Sequence, residues 1–438
     1  MYSTGSNIIV SRRLDNCVVS LISDRRHHHF REYFEFMIKT VLALALSLCC
    51  VESFQLRMSS SVLVAGLNPA LQRQVTFAHG LTKGSVNRAS GAGVGIGGKG
   101  QNMLVASTFM GVREDVKVDI AQFVGTGGEG DSLIELLRGI HTRESLTMRS
   151  KTPLRICTTL VDATCGNETT ELIEPSGNVA EAEAEEMLKK ISDNYVEDAP
   201  VGIALMGTMP PGLPKDYYMQ ILMAAGMKAG HTKVLMDTSI KVPDSLALCA
   251  RAGVQGMVKL NARELTGMMG VQEGVGIGDK ADSATSNQVV LAACTALAQS
   301  VSSLVEGCSI EGDSCPSGFI GVTDGPYQAH LVEFDPAGGS IKAHTLYTIP
   351  SLHKPLASAI GAGDAVASGT LMAWSGCFKE EGDKEGATTV VDAFKFGLAV
   401  GAASCLTTGN SVWEKADCDA LLANIQVEPH HWPCREDH

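Results

Sequence analysis

The sequence predicts an α/β fold, a mostly parallel central sheet covered by helices on both faces, with a small β-lid set apart from it. Three observations carry this. Short apolar runs alternate with helix-like stretches from residue 61 onward. Several of the runs are continuously apolar, as strands buried on both faces are. Two polar, glycine-containing stretches break the rhythm, at 67–98 and 152–174.

The strand candidates are Val62–Gly66, Val118–Val124, Arg155–Asp162, Gly202–Met206, Lys233–Asp237, Gly256–Leu260 and Phe319–Thr323. Helices are expected over 101–110, 131–138, 179–193, 215–229, 262–269, 289–302, 363–374 and 390–405. The stretch 152–174 alternates in polarity and reads as a hairpin turning near Gly166 and Asn167. With 67–98 it forms the expected lid. Segments 271–287 and 305–317, rich in Gly, Asp and Ser, read as surface insertions. Residues 61–425 form one domain, and 426–438 a solvated tail.

The N-terminal 60 residues stand outside this pattern. The run 41–51, VLALALSLCCV, is too short to span a bilayer. It follows Lys39 and has the form of a signal h-region, with Met37 a natural start. The Ser-rich, basic segment from Phe54 then resembles the second half of a bipartite plastid presequence. A plastid location is expected through residues 37–53, with secretion or the cytoplasm as alternatives and a core helix at 38–51 as the bland one. No stable membrane span is expected in the mature protein.

The chain has 438 residues, 45% apolar and 19% charged, with net charge −13. That charge gives nucleic-acid binding no overall electrostatic support. An anionic substrate would need a local cluster of cations. The 13 cysteines contain no C-x-x-C pair, which favours reduced thiols over disulfides or zinc. His430, His431, Cys434 and His438 read as a solvated tail rather than a metal site.

Four motifs have chemical potential. The run Gly91–Gly100 contains Gly93-x-Gly95-x-x-Gly98, a dinucleotide spacing, but Asn87–Ser90 before it is not strand-like. It also contains Gly93-x4-Gly98-Lys99, but Gly100 stands where a P-loop needs a hydroxyl. The third reading is Gly97-Gly98-Lys99-Gly100-Gln101-Asn102 opening a helix. Bare backbone there admits a polyol, and Asn102 offers it a donor and an acceptor. Gly361-Ala362-Gly363-Asp364 starts an apolar helix, where free N–H groups make an anion site beside a carboxylate. Its alternative is Asp364 as a simple helix cap. Asn261 and Glu264, three apart at a helix start, suit a metal's water shell or a capping box. Thr323-Asp324-Gly325 ends a strand in a turn.

The order of these pieces, with Gly66–Ala70, Gly84–Arg88, Gly125–Gly130, Gly207–Gly212 and Asp237–Ser239 between them, resembles the PfkB family of ribokinase-like carbohydrate kinases. The similarity is greatest to the branch of 1-phosphofructokinases and tagatose-6-phosphate kinases. The resemblance implies a three-layer α/β/α sandwich and transfer of the γ-phosphoryl group of ATP, with Mg²⁺, to a sugar or sugar phosphate such as fructose 1-phosphate. It implies Asp364 as catalytic base, with Gly361, Ala362 and Gly363 as its anion hole. Asn68, Gln72, Gly97, Gly98 and Asn102 would hold the sugar, Arg155 its phosphate, with Lys99 and Arg88 as helpers. Lys259, Asn261, Thr323, Asp324, Gly325 and Gly409 would line the nucleotide. Asn261 and Glu264 would organise Mg²⁺ through water. A homodimer through the lid is also implied.

The chain departs from the branch at Gln72, where an aspartate is usual, which leaves the substrate open. The rivals are a nicotinamide-dependent dehydrogenase, a kinase-like partner without activity, and a nucleoside kinase of the same fold.

Overall fold

The computed structural model describes residues 60–140, 146–165, 168–271, 283–306, 315–325, 327–378 and 388–430. The signal-like segment, the turn at Gly166-Asn167 and most of both expected insertions lie outside the described residues. So do His431, Cys434 and His438.

Ten strands form one sheet in the order β14-β13-β12-β11-β10-β9-β8-β1-β4-β5. Its parallel part is β10 (Gln255–Asn261), β9 (Lys233–Asp237), β8 (Gly202–Met206), β1 (Ser61–Ala65), β4 (Lys117–Thr126) and β5 (Thr147–Pro153), with β11 (Gly318–Thr323) parallel to β10. An antiparallel edge follows, made of β12 (Ala329–Phe334), β13 (Ile341–Thr348) and β14 (Gln426–His430). The domain therefore extends past 425. Residues 426–430, expected as tail, close the edge because β13 offers them an unpaired row of backbone groups.

Alternation along the strands divides the core. Leu63 and Ala65 face one apolar cluster, Val62 and Val64 the other. The first is covered by α3 (Glu181–Asn194), α4 (Tyr217–Ala224), α5 (Val242–Arg251), α6 (Ala262–Met269) and α7 (Ser283–Val305). The second is covered by α1 (Lys99–Thr108), α8 (Ala362–Trp374), α9 (Val390–Ser404) and α10 (Lys415–Leu422). This is the three-layer sandwich the resemblance implies. Residues 287–305 of α7 are long and apolar enough to cross a membrane. Val290, Ala293, Leu297 and Val301 are nevertheless buried in the core, which marks α7 as a core helix.

The lid is a four-stranded sheet in the order β3-β2-β6-β7, built from β2 (Ala70–Phe77), β3 (Gly91–Gly97), β6 (Ile156–Asp162) and β7 (Glu168–Ile173). β6 and β7 pair antiparallel, as the hairpin expectation required. Thr152 and Pro153 belong instead to β5 of the main sheet. Gly93 and Gly95 lie inside β3, an antiparallel strand of the lid, which removes the dinucleotide reading, since that fingerprint needs its glycines in the turn between a parallel strand and a helix. A third cluster, with Leu71, Val124, Leu133, Leu137 and Leu154, docks the lid base on α2 (Gly128–Arg138).

β12, β13 and α10 are not singled out in the sequence because each is a short run of mixed polarity.

Candidate active site

The strand order reverses at β1, whose chain continues to β4 on one side while β8 lies on the other. Ligand sites in open parallel sheets form at such points, beyond the carboxyl ends of the strands. The candidate residues gather there. Asn68 follows β1, Asp237 ends β9, Asn261 ends β10 and Thr323 ends β11. Asn68 Nδ2 bridges to Thr208 Oγ1, after β8, at 3.0 Å.

Asp364 lies in the first turn of α8, a helix of 13 residues with no side-chain cap. The simple-cap alternative is thereby overturned. Its carboxylate is buried and accepts a hydrogen bond from Asn102 Nδ2 at 2.8 Å. Burial pushes the Asp364 carboxyl up to about 7, with the nearby Asp237 charge adding to the rise. The uncapped helix end, with the three residues Gly361–Gly363 ahead of it, fits an anion. Gly361 sits at φ 80, and a Cβ there would stand 2.5 Å from Ser411 Oγ. Ser411 donates to the Gly361 carbonyl at 2.8 Å, so the loop after α9 holds this turn.

Lys259 and Lys99 both converge on Asp237. Lys259 Nζ is buried and donates to Asp237 Oδ2 at 2.9 Å and to the Gly363 carbonyl at 3.0 Å. It braces the Gly361–Gly363 turn from inside the protein. Lys99 Nζ reaches Asp237 Oδ1 at 2.6 Å and Glu264 Oε1 at 3.0 Å. Burial works against its ammonium, but Asp237 and Glu264 override that and raise its pKa. Burial likewise opposes the Asp237 carboxylate, and Lys259 and Lys99 keep it below the usual range. One chain of contacts thus runs from α6 through Lys99, Asp237 and Lys259 to the base of α8.

Asn261 and Glu264 form the capping box. Glu264 N donates to Asn261 Oδ1 at 2.8 Å, and Asn261 N to Glu264 Oε2 at 3.0 Å. Among the described residues no group of three His, Cys, Asp or Glu side chains could hold a metal. A single partly exposed carboxylate suits Mg²⁺ held mainly by water and phosphate oxygens, so the donor set fits that ion in an outer-sphere role.

Arg155 donates through Nη2 to the Asn68 carbonyl at 2.8 Å and through Nε to the Pro69 carbonyl at 3.3 Å. It fixes the turn into β2 and lines a depression with Asn68, Ser150, Thr152 and Gly177. Gly98 caps α1, and Gly97 ends β3 beside Gln72. Thr323 and Asp324 are half-buried and Gly325 exposed at the end of β11, while Gly409 lies in the loop that carries Ser411. Arg88 is exposed on the loop between β2 and β3.

The sequence singles out neither Asp237 as the hub nor Ser411. An Asp ending a buried strand was the available signal for the first. The second is 50 residues from its partner and carries none.

Residues 64–305 match the family model for pfkB family carbohydrate kinases. The chain belongs to the PfkB family of carbohydrate kinases. Solved structures share this fold. Phosphofructokinase-2 from Escherichia coli in complex with substrates and products is 17% identical, with a TM-score of 0.58, covering 83% of this chain and 98% of its own. A possible 1-phosphofructokinase from Thermotoga maritima is 18% identical, with a TM-score of 0.57, covering 85% and 100%. Ribokinase from the same organism is 16% identical, with a TM-score of 0.55, covering 83% and 100%. No curated protein matches the sequence.

Proposed function

We propose that this PfkB protein transfers the γ-phosphoryl group of MgATP to a hydroxyl of a sugar phosphate, a phosphohexose such as fructose 1-phosphate. The observation that carries the reading is Asp364, a buried carboxylate with a raised pKa, at the uncapped N-terminus of α8 and oriented by Asn102.

Asp364 accepts the proton of the attacking hydroxyl as the new O–P bond forms and the bond to the ADP oxygen breaks. The amides of the Gly361–Gly363 turn steady the charge on the transferring group. Asn102 engages its Nδ2 with Asp364, and its Oδ1 is buried with no partner among the described residues. That atom accepts from a neighbouring sugar hydroxyl, since an unmet buried acceptor is costly. Arg155, whose Nη1 has no partner among the described residues, suits the substrate phosphate. Mg²⁺, organised near Asn261 and Glu264, supplies charge neutralisation at the phosphates. The lid over this region excludes water and limits hydrolysis.

The lid also supports self-association. All six residues of β7 are exposed, and Leu172 and Ile173 are 53% and 60% exposed. A second copy of the chain covers this edge in the proposed homodimer.

The test is ATP consumption with Mg²⁺ against a panel of free and phosphorylated hexoses, pentoses and nucleosides. Turnover with one phosphohexose supports the reading. Turnover only with a neutral sugar keeps the mechanism and moves the substrate. ATP binding without turnover on any of them overturns it in favour of a non-catalytic partner.

A further inference from the structure

Two buried amides in this region follow one rule. Asn102 engages its nitrogen with the protein and leaves its oxygen without a donor. Gln72 repeats the arrangement on the lid. It is 9% exposed, and its Nε2 donates to Thr159 Oγ1 at 2.6 Å. Among the described residues no group donates to its Oε1. That oxygen lies 3.2 Å from where a Cβ on Gly97 would stand.

The register explains why Oε1 is open to a ligand. Ala70, Gln72, Gln74 and Thr76 of β2 stand opposite Gly97, Gly95, Gly93 and Gly91 of β3. Paired residues share a sheet face, so the face that carries Gln72 is bare backbone on β3. A Cβ added at Gly91, Gly93 or Gly95 would meet nothing within 4 Å. On the other flank Thr159 is 1% exposed on β6, which pairs parallel with β2. Gln72 is thus covered on the Thr159 side and uncovered on the glycine side.

We infer that Thr159 is a positioning residue that fixes the Gln72 amide with its carbonyl oxygen toward the sugar, making this pair the specificity determinant of the lid. The inference rests on the phosphotransfer reading above and deepens it. A carboxylate at this position accepts hydroxyls through two oxygens. A clamped amide has one acceptor to offer and carries no charge. The site therefore selects a sugar phosphate whose donor hydroxyls toward the lid converge on that one oxygen, in addition to one for Asn102 Oδ1 and the reacting one at Asp364. Thr159 has no place in the chemistry and acts only through Gln72.

The test compares wild type with Thr159→Val, Thr159→Ser, Gln72→Ala and the double variant Gln72→Ala/Thr159→Val, using whichever sugar phosphate the wild type turns over. Thr159→Val is expected to raise KM for the sugar phosphate about 5- to 10-fold, the loss of one oriented hydrogen bond. KM for ATP and the melting temperature should stay unchanged, and Thr159→Ser should restore the wild-type value. In the Gln72→Ala background Thr159→Val should add nothing further. Full additivity of the two changes, or a Thr159→Val enzyme with wild-type KM, overturns the inference. A wild type that turns over no sugar phosphate overturns the function reading instead, so the two failures are distinct.

Discussion

At the carboxyl ends of the parallel strands, Asp237 lies between two ammonium groups at 2.6 and 2.9 Å. At the antiparallel edge, by contrast, His330 and His344 stack with ring planes 2° apart, and His430 stands edge-on to the second ring. Both places bury polar side chains in the same sheet. Opposite charges within hydrogen-bond reach keep the first place ionised. The second has no counter-ion for its rings among the described residues, and burial holds His330 and His344 neutral, with pKa values lowered to about 3 and about 4. Burial thus removes charge unless the fold supplies a partner. Asp364 stands between the extremes, buried beside an acid as well as two lysines, with its carboxyl raised to about 7. A group so balanced can be ionised to take a proton yet is basic enough to hold it.

The sharpest way to break this contrast is Asp364→Asn. It is expected to lower the phosphoryl-transfer rate by about 10²-fold or more, the range for losing a general base. Wild-type kcat/KM should fall as pH drops below about 7, and the residual rate of the variant should not. The variant should also be the more stable protein. A carboxyl raised in the folded state contributes stability at low pH that is lost as pH rises through the folded pKa. Denaturant unfolding should therefore show the Asn protein gaining between pH 4 and 7, by roughly 1 kcal/mol or more at pH 8.

Asp237→Ala removes the partner of two lysines and should cost about 3 kcal/mol of unfolding free energy, as when one side of a buried pair is deleted. The same variant should lose turnover, because Lys259 no longer braces Gly363. The histidine edge is the opposite case. Groups with lowered pKa values contribute stability above about pH 6.5 that is lost on acidification. The wild type should lose roughly 4 kcal/mol between pH 7 and 5 from this pair, about 2 per ring. His344→Phe, which keeps a stacked ring without a titrating nitrogen, should remove part of that loss, measured by unfolding at both pH values.

Arg155→Ala should raise KM for a phosphorylated substrate about 10-fold, the scale of one charge-assisted contact. An unchanged KM in steady-state assays would point to a neutral sugar. The smallest effect concerns the lid edge. Ile173→Lys should shift the protein toward monomer in sedimentation without altering the melting temperature, since β7 is exposed in the single chain.

The seven strand candidates all form, and most helices begin within a few residues of their expected starts, because apolar runs and their periodicity are local properties. The capping box at Asn261 and Glu264 was readable for the same reason, its two halves being three residues apart. The same local view named the lysines but not their convergence on Asp237.

What the sequence by itself determined is the layered α/β frame, the lid and the family. The tertiary structure alone decided that Lys99 and Lys259 converge on Asp237, that Ser411 holds Gly361, that Thr159 holds Gln72, and that 426–430 join the sheet. Apart from Lys259 and Asp237, which are 22 residues apart, each of these is a contact between segments 50 or more residues apart. A side chain's type fixes what it can bond. Only the packing of distant segments fixes which partner it finds, and with that its charge.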